Sequence, residues 1–341
     1  MNLGDALSVH AGLVGHPRAR GVCYRAVVSA TRRAAPRKRS LISTFFWVIV
    51  LLVATRMILL QCGVFPLPTP VMPPAPVGSA SSHSGAAGRA RTDADRTGEA
   101  SSGLARHLPL GVPTDRDPSD DHLLDEHSFV ISYNPAKRVP NWVGWRLDRS
   151  YLGHVARRND FRPDPALSPE FYHVSERDYL HSGYDRGHLC PSADRQDSPE
   201  DNSATFVFTN MEPQLHELNA GPWEKFERYE RERAERPGAV LYIVAGGVFS
   251  SPAPTIGQGV AVPAANFKIV VMLEDGQGPS DVTEQTEVVS VLMPNQKGVG
   301  EREWSAYLTS VDAIEAATGY DFLSAVPEAV QRVIEARSAR P

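Results

Sequence analysis

The polarity pattern divides the chain before any single residue is considered. Positions 41–60 form one continuous apolar run, LISTFFWVIVLLVATRMILL, with Arg56 as its one charge near the far end. A bilayer-spanning helix needs about 20 predominantly apolar residues, and an arginine close to an end can snorkel to the interface. Arg32, Arg33, Arg37, Lys38 and Arg39 precede the run, and basic residues stay on the cytoplasmic side of a span. The pattern predicts an uncleaved signal anchor over 41–60, a basic cytoplasmic segment over 1–40, and the large remainder outside. A cleaved signal peptide would have a shorter apolar core and a small-residue cleavage site, which Gln61-Cys62-Gly63 does not supply.

Residues 61–104 hold Pro, Ala, Ser and Gly with scattered charges. So little apolar material cannot offset chain entropy, and the segment reads as a disordered linker. From 105 onward short apolar blocks recur between turn residues. Blocks at 129–133, 141–147, 205–209, 240–245, 267–273 and 287–293 read as strands. A helix is expected over 222–236, with Pro222 in its first turn and Gly238 closing it. Further helices are expected at about 301–317 and 327–338. Together these give one α+β domain over 105–341, with a mostly antiparallel central sheet flanked by helices.

Composition changes this picture little, and charge changes it more. A hydrophobic fraction of 42% supplies a sizeable core. Residues 1–40 carry eight basic groups against one acid, a balance of +7, so a chain of −5 leaves −12 for the rest. Generic electrostatic capture of nucleic acid leaves a basic footprint, and the folded part lacks one. A metal site with local arginines can still handle a phosphodiester, because the relevant field is local. The three cysteines, Cys23, Cys62 and Cys190, are scattered and make neither a disulfide framework nor a thiolate metal site.

The densest chemistry lies in Tyr184-Asp185-Arg186-Gly187-His188-Leu189. An imidazole titrates near neutrality and can take a proton from water, which suits His188 to act as general base. Arg186 offers a planar fork to a phosphate oxygen. Asp185 either orients its neighbours or holds the local backbone. Mg²⁺ keeps much of its hydration shell and takes few protein oxygens, so the lone amide of Asn219 is a credible ligand. Glu227, one turn beyond Trp223, is then placed to hold the coordinated waters. By composition alone Glu227 belongs to a solvated charged face, and Trp223, Phe226 and Cys190 read as core.

These pieces, with Asn210, Gln214, Trp223 and Glu227 in order, resemble the DNA/RNA non-specific endonuclease family of ββα-metal (His-Me finger) nucleases. The resemblance implies His188 as general base, Asn219 as Mg²⁺ ligand (with Mn²⁺ as its substitute), and Glu227 as holder of metal waters. It further implies Arg186 on the phosphate, Asn210 fixing the site, and DNA and RNA substrates cut to 5′-phosphate ends. An upstream arginine would stabilise the transition state, and Arg157, Arg158 and Arg162 stay open for that role. The expected protein is a membrane-anchored enzyme acting on the periplasmic or extracellular side. The mitochondrial inner membrane is the alternative, with 1–40 as an Arg-rich presequence. A catalytically idle nucleic-acid or protein-binding module is the competing function. Oligomeric state stays open, a homodimer included.

Overall fold

Short segments rich in Val, Ile and aromatic residues favour a pleated, half-buried surface, and they build the centre of this molecule. The computed structural model describes residues 103–339. The basic segment 1–40, the expected anchor 41–60 and linker residues 61–102 lie outside the described residues. A helical turn over 103–107 already belongs to the folded part, slightly ahead of the expected boundary at 105. Among the described residues no helix is long and apolar enough to cross a membrane.

In chain order the strands are β1 (His122–Asp125), β2 (Val130–Asn134), β3 (Val139–Asp148), β4 (Asp185–His188), β5 (Met211–Gln214) and β6 (Ala239–Val248). They continue with β7 (Thr255–Ile256), β8 (Val260–Ala261), β9 (Ala265–Glu274), β10 (Glu287–Pro294) and β11 (Leu308–Thr309). The helices are α1 (Glu176–Tyr179), α2 (Pro199–Ala204), α3 (His216–Leu218), α4 (Glu224–Ala234), α5 (Val311–Thr318) and α6 (Glu328–Ala336). Seven strands form one sheet in the order β1-β2-β3-β6-β9-β10-β11, and every neighbouring pair in it is antiparallel.

Side chains alternate across a strand, so β9 feeds both faces of the sheet. Phe267, Ile269, Val271 and Leu273 join Trp142 and the helix residues Val311, Ile314 and Ile334 on one side. Val270 joins Trp145, Leu147, Leu241, Ile243, Trp223 and Phe226 on the other. The C-terminal helices α5 and α6 therefore cover one face and α4 covers the opposite one. A separate antiparallel hairpin of β4 and β5 leads into α3 and α4, a ββα unit set on the α4 side.

Two expectations fail locally. The block 205–209 is not a strand: it ends α2 and enters a 3-10 turn, Phe208–Asn210. Thr205 Oγ1 donates to the Asn202 carbonyl at 2.7 Å, and Asn210 Nδ2 donates to the Thr205 carbonyl at 2.9 Å. Such local side-chain-to-backbone bonds compete with a strand ladder, and the strand begins at Met211 instead. The helix expected over 301–317 is confined to α5, where Ser310 caps the start by accepting from the Ala313 N–H at 3.2 Å. The hairpins 129–133 with 141–147 and 267–273 with 287–293 are present, as is the helix at 327–338.

Candidate active site

Asp185, Arg186, Gly187 and His188 are the whole of β4, paired with Gln214, Pro213, Glu212 and Met211 of β5. Alternation then puts neighbouring side chains on opposite faces. A Cβ at Gly187 would overlap the Gln214 side chain, so the glycine is required by close approach rather than by its backbone angles. Beyond His188 the chain is pinned by Asn210. Its Oδ1 accepts from the Cys190 N–H and its Nδ2 donates to the Cys190 carbonyl, both at 2.9 Å. Asn210 is fully buried and acts on the site through the Cys190 backbone, as a positioning residue.

His188 is 8% exposed, and its Nε2 has no hydrogen-bond partner within the protein. Phe206 and Phe161 meet it edge-on, at 5.0 and 5.7 Å between ring centroids. Each phenylalanine ring also carries an arginine. Arg186 stands 4.0 Å from the Phe161 ring centre and Arg157 stands 4.8 Å from that of Phe206. Burial, then the charges of Arg157 and Arg186, hold the His188 pKa down at about 3. The imidazole is neutral at physiological pH, with a free nitrogen that can accept a proton.

Asn219 follows α3, and the helical path breaks two residues later at Gly221, with φ −112° and ψ −118°. Kinks of this kind have local causes, and Pro222 stands directly at this one. The break separates Asn219 from the register of α4. Its Nδ2 donates to Asp185 Oδ2 at 3.0 Å, which leaves the amide oxygen as the remaining group. His216 Nδ1 lies 2.8 Å from the same Asp185 oxygen. On α4, Glu227 is 8% exposed rather than solvated. Burial pushes its carboxyl up to about 7 against the pull of Lys268 and Arg231. Those cations stand 3.8 and 4.0 Å from its oxygens. Trp223, one turn earlier, donates Nε1 to the His188 carbonyl at 3.3 Å.

A cavity of about 500 Å³ opens beside Asp185, Arg186 and Asn219, lined also by Arg157, Phe161 and Tyr184, while His188 and Glu227 lie behind its lining residues. Of the three candidate arginines only Arg157 lines it. Arg162 donates Nη1 to the Ser203 carbonyl at 2.8 Å and sits 3.4 Å from Asp160, which ties it into its own loop. The backbone N–H of Arg158 donates to Asn202 at 3.0 Å, and its side chain is exposed. Arg186 is held by an ion pair to Glu176 as well as by Phe161. Sequence reasoning missed Phe161 and Phe206, the rings against which His188 and the two arginines pack. It also missed His216 and Glu176. Only Phe161 and His216 carry a weak signal, as close neighbours of the Arg157-Arg158 pair and of Gln214.

The donors facing this site are an amide oxygen and carboxylates, the hard ligands that Mg²⁺ takes in small number. Among the described residues His, Cys, Asp and Glu do not assemble a metal-sized cluster here.

A ββα unit carrying a buried neutral histidine near two arginines is the arrangement of a ββα-metal nuclease. The DNA/RNA non-specific endonuclease profile matches residues 109–329. The chain belongs to that family, one of metal-dependent nucleases, and it is an endonuclease. It is similar to a nuclease of Nostoc sp., with 42% identity over 70% of this chain and 88% of that protein. It is 30% identical to human mitochondrial endonuclease G over 60% of this chain and 71% of that one. The mitochondrial nuclease EXOG of Danio rerio is 31% identical, over 58% of this chain and 60% of its own length. A chain of the crystallised EndoG/EndoGI complex superposes with TM-score 0.56 and 25% identity, over 66% of this chain and 92% of that one. These comparisons do not favour an idle binding module.

Proposed function

We propose that the chain hydrolyses phosphodiester bonds of both DNA and RNA with Mg²⁺, leaving 5′-phosphate ends. The observation that carries the reading is the buried, unpartnered Nε2 of His188, kept neutral near two arginines that line a cavity of about 500 Å³. Arg157 and Arg186 bind the scissile phosphate and neutralise charge that develops on its oxygens. His188 Nε2 takes a proton from the attacking water. The new phosphorus–oxygen bond forms as the bond to O3′ breaks, and the departing O3′ is protonated from solvent. Asn219 Oδ1 would hold the ion and Glu227 its waters, oriented by Asp185 and by Lys268 with Arg231. Bound Mg²⁺ supplies Lewis-acid charge neutralisation at the phosphate. Asn210 and Trp223 fix the His188 backbone.

The same reading keeps 41–60 as a membrane anchor with the catalytic domain on the periplasmic or extracellular side, supported by the apolar run and its basic flank. The mitochondrial names of several relatives support the inner-membrane alternative, and fractionation of a C-terminally tagged chain separates the two.

Purified chain should degrade plasmid and RNA with Mg²⁺, stop with EDTA, and yield ends that kinase labels only after phosphatase. Undiminished digestion by His188→Ala overturns the mechanism.

A further inference from the structure

The C-terminal helices carry a second group of acids, on the sheet face opposite the catalytic unit. Asp312 and Glu315 stand on α5 and Glu335 on α6, with one carboxylate oxygen of each within 4.8 Å of the others. Glu335 is 7% exposed, and its Oε1 is buried with no hydrogen-bond partner. Glu315 uses Oε1 to accept from the Phe322 N–H at 2.9 Å. Among the described residues no cationic side chain is ion-paired with any of the three.

Burying a charge is costly unless it is paired, and like charges at close range raise the cost. Burial first, then Glu315, Asp312 and Asp321, push the Glu335 carboxyl up to about 8. The protein supplies four acids to one corner and leaves one buried oxygen bare.

We propose that Asp312, Glu315 and Glu335 form a structural calcium site. All three donors are hard oxygens, which excludes the nitrogen and sulfur sets that zinc prefers. Calcium–oxygen distances of about 2.4 Å place opposite ligands about 4.8 Å apart. The three carboxylate oxygens lie close enough together to share one calcium ion, with waters completing its sphere. Magnesium needs a tighter octahedron and gives up its waters reluctantly. The ion would tie α5 to α6. It would also brace the start of the domain, since Asp321 between the helices pairs its backbone with Thr114 at 2.7 and 3.3 Å.

The test uses the full chain carrying Asn219→Ala, so that the proposed catalytic metal position is removed. Calorimetric titration with CaCl₂ should show one ion bound per chain, and calcium should raise Tm. Adding Glu335→Gln should abolish both effects while raising Tm in EDTA, because the amide ends the like-charge contact. Asp312→Asn, at an exposed position, is the second variant and should weaken calcium at least about tenfold, the loss of one charged oxygen ligand. Circular dichroism confirms that each variant is folded. The proposal is overturned if the Asn219→Ala chain binds no calcium, if Glu335→Gln binds it unchanged, or if magnesium binds there equally tightly.

Discussion

Asn219 Nδ2 donates to Asp185 Oδ2 at 3.0 Å, so the strand carrying Arg186 and His188 also sets which way the Asn219 amide points. An amide is chemically two-faced: its nitrogen repels a cation and its oxygen binds one. Asp185 removes that ambiguity by taking the nitrogen. Groups that orient a metal ligand typically account for 10–100-fold in metal affinity or activity.

Asp185→Ala should therefore raise the Mg²⁺ concentration for half-maximal plasmid cleavage about 10–100-fold. Saturating Mg²⁺ should restore much of the rate, since the base and the arginines are untouched. A Mg²⁺ dependence identical to the parent's would assign Asp185 to the backbone alone.

Arg157 and Arg162 lie five positions apart and should behave oppositely. Arg157 packs on Phe206 and lines the cavity, where removing a donor to a developing oxyanion costs about 10²–10³ in kcat. Arg162 holds the Ser203 carbonyl at 2.8 Å, a bond whose loss costs about 1–3 kcal/mol of stability. Arg157→Ala should be folded and nearly inactive. Arg162→Ala should have a lower urea midpoint with kcat unchanged for its folded fraction.

His188 should not titrate near its ordinary value of 6.5, because burial and two arginines hold it at about 3. Between those limits the unfolded chain binds a proton that the folded chain refuses, so stability falls as pH drops through the window. Replacing His188 by Asn removes that contribution. The stability difference between parent and His188→Asn, from urea unfolding, should move against the parent as pH falls from 7 to 4. The His188 imidazole signal in NMR should remain that of the neutral ring at pH 5. A titration midpoint near 6.5 contradicts this environment.

The order Asp185, Arg186, Gly187, His188, then Asn219 and Glu227, was legible as the pattern of one family, although residue type alone left the task of Asp185 open and placed Glu227 on a solvated face. The spacing from Asn219 to Glu227 survives a kink at Gly221 that no periodicity argument shows. The central hairpins were legible for another reason: short apolar runs between turn residues read as strands covered on both faces. The block 205–209 misled because a buried turn and a buried strand have the same composition. Its fate is decided by side-chain bonds of Asn202, Thr205 and Asn210. Arg157 could not be separated from Arg158 and Arg162 because its partner, Phe206, is a tertiary neighbour. Burial of Glu227 was hidden likewise, since Lys268 arrives from a distant strand.

That lysine supports the sharpest stability prediction. Lys268 is fully buried, with Nζ 3.2 Å from Glu230 and 3.8 Å from Glu227, and 4.4 Å from the centre of the Trp223 ring. Burial pushes Glu230 up to about 8 and Glu227 to about 7, and Lys268 is the strongest influence pulling each down. Without it both rise further, and at pH 8 the fold must either hold Glu230 with no paired cation and Glu227 with Arg231 alone, or protonate them. Lys268→Met should cost about 3–5 kcal/mol, the usual penalty for breaking a buried pair from one side. An acid whose folded pKa is raised lowers stability as pH climbs above its unfolded value, which for these glutamates is 4.5. The deficit should thus be greatest at pH 8 and shrink towards pH 4.5. Adding Glu230→Gln should recover part of it, because the charge left without a paired cation is gone. Urea unfolding of parent, single and double variants at both pH values measures all of this. A single variant as stable as the parent at pH 8 would mean that Lys268 does not compensate the acids beside it.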